Sequence, residues 1–145
     1  MIAFLFLAVL AGAMLPVQTG VNLQLRGVLG HPLAAALVSF LVGALGLAAA
    51  AVAARAPVGL AGAWARSEWW QWGGGLLGAV YIVGTIVLAP RLGAATLVAA
   101  LVAGQMLMSL VIDHFGWVGF TVHEISPLRL LGAALVVGGV VLVRQ

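Results

Sequence analysis

The stretch from Arg91 to Gly116, RLGAATLVAALVAGQMLMSLVIDHFG, restricts the fold more than any other part of the chain. Its twenty residues from Gly93 to Ile112 carry no charge. At ~1.5 Å of rise per residue they are long enough to cross a hydrocarbon core ~30 Å thick. Near the middle stands a full amide, Gln105, and Ser109 and Asp113 follow at steps of four. That spacing puts the three polar groups on one helix face. Lipid offers an amide no partner, so the stripe must face protein or a water-filled path.

The remainder of the chain is of the same kind. Of 145 residues, 65% are hydrophobic and 6% charged, with a mean hydropathy of +1.27. A soluble domain of this size is excluded. The expected fold is all-α: a polytopic membrane protein whose five transmembrane helices form one domain over 1–145. The spans are expected at about 2–25, 32–54, 72–89, 93–115 and 127–143. The absence of cysteine excludes disulfide and thiol chemistry. All six basic residues are arginines, set singly between apolar runs, so the net charge of +3 reads as interfacial anchoring and not as a nucleic-acid patch. The opening MIAFLFLAVLAGA has the apolar core of a signal peptide, but no positive charge precedes it and four more spans follow, so it is read as a retained span.

In the first span, Pro16 should loosen the hydrogen bond back to Gly12. Gln18 and Asn22 stand beyond it at i, i+4, with Thr19 and Gln24 nearby, and Arg26 is expected to end the span. RGVLGHP reads as a turn, with Pro32 opening the second span. That span is rich in Ala and Gly, and Gly43, Gly46 and Ala50 are expected to let a neighbouring backbone approach; Ser39 reads as scaffold. Trp64, Trp69, Trp70 and Trp72 with Arg55, Arg66 and Glu68 read as a headgroup-level belt in preference to an aromatic substrate box. Gly74, Gly78 and Tyr81 fall in the third span, which Pro90 should close, and the short APRLG link makes the third and fourth spans antiparallel neighbours. Gly116 is placed as a helix stop, and Ser126 and Pro127 as the cap and first residue of the fifth span.

Two readings of Gln18, Asn22 and Gln105 are open: hydrogen bonds that join helices, or the lining of a substrate path. Amides beyond a proline and at midspan favour the path. Asp113 sits at the negative end of a helix dipole and needs compensation from His114, an arginine of another loop, or a proton. It is either one half of an interfacial ion pair or a proton or cation relay. The only other acids and imidazoles, Glu68, Glu124, His31, His114 and His123, lie at span ends or in loops without zinc spacing. No G-x-S-x-G motif is present, so no enzyme, metal or cofactor is expected.

PVQTGVN, GHPLAAALVSFLVG, WWQWGGGLLGAVY, APRLGAATLVAALVAGQMLMSLVIDHFG and SPLRLLGAALVVGG together resemble the YdcZ-type family of inner-membrane exporters in the drug/metabolite transporter superfamily. The resemblance runs over essentially the whole chain. It rests on Pro16, Gln18, Asn22, Gly74, Gly78, Tyr81, Pro90, Gly93, Gln105, Asp113 and Gly116. Glu124 in HEIS departs from the pattern. The resemblance implies a bacterial inner-membrane location, five helices per chain, pairing of two chains in opposite orientation, and transport by alternating access. It also implies kinship with small multidrug exporters that use a carboxylate in helix one, a device this chain lacks because Gln18 and Asn22 stand there without an acid.

The resulting expectation is a transporter subunit in contact with membrane lipid. Gln18, Asn22, Tyr81, Gln105 and Ser109 are expected on a small polar or drug-like substrate, with Asp113 as gate or coupling residue. A non-transporting helical assembly module is the alternative. Gly132 and Gly139, seven apart, are expected at a dimer contact. With five spans, Arg55, Arg66 and Arg129 fall on one side and Arg26, Arg91 and Arg144 on the other. Three against three gives no orientation bias, so the expected partner is an antiparallel copy of the chain, or a paired homologous chain, in a ten-helix inverted repeat.

Overall fold

The structure, a computed structural model, describes residues 1–57 and 59–145, and of 60 and 61 the backbone alone. Every regular element among them is helical: α1 (Ile2–Leu29), α2 (Pro32–Ala53), α3 (Leu60–Trp64), α4 (Gly74–Leu92), α5 (Ala94–Phe115) and α6 (Pro127–Val143), with 3-10 turns at Trp69–Gly73 and Trp117–Gly119. Among the described residues, four stretches are long and apolar enough to cross a membrane: Ile2–Leu29, Pro32–Ala53, Trp69–Leu92 and Ala94–Phe115. The apolar α6 is shorter, at 17 residues. Large apolar side chains stand outward along the helices, with Phe4 76% and Leu135 68% exposed. In a chain of this composition, that outward surface is matched by lipid.

The chain divides into two compact units, Met1–Ala89 and Pro90–Gln145. In the first, α1 and α2 pack as a hairpin closed by Gly30. α1 does not end at Arg26 as expected but runs to Leu29. A cation in a last helical turn is favoured by the dipole, so arginine is no stop there. Pro16 is carried inside the helix without a break. Lacking an N–H, it leaves the Gly12 carbonyl without its usual donor. Just beyond, Thr19 Oγ1 donates back to the Leu15 carbonyl at 3.0 Å. α2 is capped by His31, whose Nδ1 accepts from the Leu33 N–H at 3.2 Å, with Pro32 in the first turn.

The core of this unit is Ala35 and Ala36 of α2 against Ile82 and Ile86 of α4, flanked by Leu25, Tyr81 and Val83. A Cβ at Gly78 would meet Phe40 Cζ at 3.4 Å, so this glycine brings α4 close to an α2 aromatic. At Gly43 and Gly46 a Cβ would meet nothing within 4 Å; the close approach expected there is not made within this unit. The Trp segment enters α4 through the turn Trp69–Gly73. That turn is held by a reciprocal cap in which the Glu68 N–H donates to Gln71 Oε1 at 3.0 Å. Trp64 and Trp72 meet at 5.1 Å between ring centroids, and Trp72 Nε1 donates to Ser67 Oγ at 2.7 Å.

Pro90 does not close α4, which continues to Leu92. A proline N cannot serve the carbonyl four residues back, here that of Ile86. Arg26 Nη1 serves it instead, at 3.1 Å. In the second unit, α5 starts after Gly93 (φ 75°) and ends at Gly116 (φ 64°), whose N–H donates to the Ile112 carbonyl. A Cβ at Gly116 would lie 2.7 Å from Val122 Cγ2, so this stop requires glycine by space as well as by φ. α5 and α6 pack together, and Ser126 Oγ accepts from the Arg129 N–H at 3.3 Å as the α6 cap.

Candidate functional site

Asn22 is placed by the third quarter of α1 and is 2% exposed, among the most buried side chains of the chain. Its Nδ2 has no hydrogen-bond partner among the described residues. An unserved buried donor costs about 1–3 kcal/mol, a cost that packing residues rarely carry without a reason. One turn earlier, Gln18 is exposed and lines a groove of about 260 Å³ between α1 and α2, with Ser39, Phe40, Gly43, Ala44 and Leu47. The two amides therefore share a helix but differ in access. Tyr81 is half-buried against the Ala35, Ala36, Ile82 and Ile86 core of the same unit.

Ser39 and Phe40 are the groove residues that sequence reasoning missed. Ser39 is the only hydroxyl of α2, a signal legible in the sequence and read as scaffold. Thr85 was also passed over. It is 1% exposed, and its Oγ1 is used locally, donating to the Ile82 carbonyl at 2.8 Å. Arg26, expected as a plain interfacial anchor, is partly buried, with one N–H on the Ile86 carbonyl.

Gln105 and Ser109 lie in the second unit, exposed on α5, with Ser109 Oγ donating to the Met106 carbonyl at 2.9 Å. Back-bonding of this kind serves the hydroxyl within its own helix while leaving its oxygen free to accept. Gln105 makes no hydrogen bond among the described residues and presents both a donor and an acceptor. Asp113, at the end of α5, has its compensation from Arg129, sixteen residues on, through a short Nη2–Oδ2 contact. Arg129 Nη1 also donates to the His123 carbonyl at 2.8 Å, and the His123 N–H donates to the Asp113 carbonyl at 2.8 Å. Carboxylate and guanidinium thus fasten both ends of the α5–α6 connection, which makes Asp113 one half of an ion pair in this conformation. His114 Nδ1 accepts from the Ile125 N–H at 3.4 Å and does not serve the carboxylate.

On α6, a Cβ at Gly132 or Gly139 would meet nothing within 4 Å, so neither glycine is spent on a close contact inside its own unit. Among the described residues, no three His, Asp or Glu side chains converge as metal ligands.

A family model described as "Putative inner membrane exporter, YdcZ" matches residues 3–142. No curated protein and no solved structure matches the chain.

Proposed function

The chain belongs to the YdcZ inner membrane exporter family, and from that premise we propose that it is one subunit of a bacterial exporter working by alternating access on a small polar or drug-like molecule. Membership gives a multi-pass protein of the inner membrane with a transport role. In the proposal, Gln18, Asn22, Tyr81, Gln105 and Ser109 contact the substrate, and the Asp113–Arg129 pair opens and closes one end of the path. The single observation that carries it is the buried, unserved Nδ2 of Asn22. A donor held without a partner in a lipid-facing helical body is what a substrate contact looks like between transport events.

The working unit in this proposal is an antiparallel homodimer, with α6 as the fifth span of a single five-helix domain. At ~1.5 Å per residue, 17 residues reach about 25 Å, and Arg129 and Arg144 at its ends extend that to the headgroups. The balanced arginines and the open Gly132 and Gly139 support the inverted pairing.

The test is ligand binding by detergent-purified protein, screened by thermal shift, with Asn22→Leu and Gln105→Leu beside the parent. A stabilising solute should lose its effect in both variants while insertion and assembly persist. If both variants bind like the parent, the residues are packing groups and the site is elsewhere.

A further inference from the structure

The polar groups near the end of α1 are short of acceptors, and that bias selects a ligand. Residues 1–89 contain three arginines and a single acid, Glu68, which makes no ion pair among the described residues. Arg26 is partly buried and makes no ion pair among the described residues; its one hydrogen bond goes to a neutral carbonyl, that of Ile86. A guanidinium carries five N–H donors and no acceptor, so four donors and the full charge are unspent. Asn22 lies four residues earlier, on the same face of α1, with its own Nδ2 buried and unserved.

We infer that Asn22 and Arg26 form a binding position for an anionic oxygen group, so that the exported molecule is acidic and bears a carboxylate or phosphate. This rests on the proposed reading of Asn22 as a substrate contact and adds its chemical class. The chemistry is complementary at both points. An amide N–H serves one oxygen, and a guanidinium fork serves one or two more with charge assistance. A cationic substrate would meet at Arg26 a like charge with no intervening carboxylate, which disfavours it in a medium that screens poorly. Asp113 does not reverse that sign, because its charge is already matched by Arg129.

The same donors would also accept a phospholipid headgroup, so the experiment separates soluble from lipid anions. Full-length protein is purified in a neutral detergent, and its unfolding temperature is followed with benzoate, inorganic phosphate, methylguanidinium and glucose. A parallel set uses nanodiscs of phosphatidylcholine with and without phosphatidylglycerol. Benzoate or phosphate should stabilise the parent, with Kd weakened about tenfold or more by Arg26→Gln and by the near-isosteric Asn22→Asp, and largely kept by Arg26→Lys. Asn22→Asp preserves size while adding a repelling charge, so its loss of anion binding is not a folding defect if its ligand-free unfolding temperature is unchanged. Stabilisation by phosphatidylglycerol alone, with no response to soluble anions, overturns the inference in favour of a lipid anchor. Asn22-dependent stabilisation by methylguanidinium or glucose in place of the anions overturns the inference and leaves the substrate-contact reading standing. No Asn22-dependent response to any solute overturns both.

Discussion

The hydrogen bond from Arg26 to the Ile86 carbonyl yields a prediction that turns on one missing proton. Pro90 has no N–H for Ile86, and Arg26 takes its place at 3.1 Å from sixty residues away. Removing the guanidinium with Arg26→Met deletes a charge-assisted bond worth about 1.5–3 kcal/mol and strands the carbonyl. Arg26 is only partly buried, so water or headgroups will recover some of that, and about 2 kcal/mol is the expected loss. In a Pro90→Ala background the new backbone N–H at 90 reaches Ile86 within the helix, and the same Arg26→Met change should cost about 1 kcal/mol or less. Pro90→Ala has its own effect through helix propensity, but it is present in both arms and cancels in the cycle. Reversible unfolding in mixed micelles measures the four stabilities. A coupling of about 1 kcal/mol or more is expected, and costs that add to within ~0.5 kcal/mol would refute the idea that Arg26 replaces the lost donor.

Three further outcomes follow from the geometry. Asp113→Asn and Arg129→Met should each loosen the α5–α6 connection by about 1 kcal/mol, since the pair is partly exposed at 23% and 34%. Amide exchange at the His123 N–H reads that loosening, and unchanged exchange would show that the pair does not hold the loop. Gly116→Ala must take φ 64° and place its Cβ 2.7 Å from Val122 Cγ2, so it should lower stability by about 1–2 kcal/mol, well beyond the cost of alanine at Gly132, where nothing lies within 4 Å. For the proposed dimer, Gly139→Leu should speed subunit exchange, and C-terminal reporters active on opposite sides of the membrane should both give signal; a single active reporter with unchanged exchange removes the self-paired antiparallel model.

The sequence showed the parts of the fold that depend on local chemistry. The span over α5 and its glycine stop were legible because an uncharged run followed by Gly116 carries its own end signal. The start of α6 was legible for the same reason, from Ser126 and Pro127. The arginine and proline read as stops did not stop their helices: Arg26 is favoured by the dipole of its own last turn, and the carbonyl freed by Pro90 is served from far along the chain. At Pro90 the absent donor is replaced by Arg26, and no window of sequence around either residue contains the other. The partner of Asp113 was foreseen as a kind, an arginine of another loop, but choosing Arg129 needs the fold of the connection. Within the site, the type of residue was readable and its access was not. Gln18 and Asn22 look alike at i, i+4, yet one lines an open groove and the other is closed off. That difference depends on tertiary packing around α1, which periodicity cannot supply.

The central claim is that Asn22 in the first unit and Gln105 in the second are each reached by water during transport, and the absence of any native cysteine makes it directly measurable. Single cysteines at Gln18, Asn22, Gln105 and Ser109, with Leu5 and Val80 as lipid-facing controls, are probed in membrane vesicles with a small charged thiol reagent. Thiol labelling requires the thiolate, which forms in water and not in lipid. The account predicts that all four polar positions label faster than both controls, and that position 22, buried in this conformation, labels more slowly than position 18 because it waits for the chain to open. Labelling at 22 and 105 no faster than at Leu5 and Val80 would contradict it, leaving these amides as dry helix contacts.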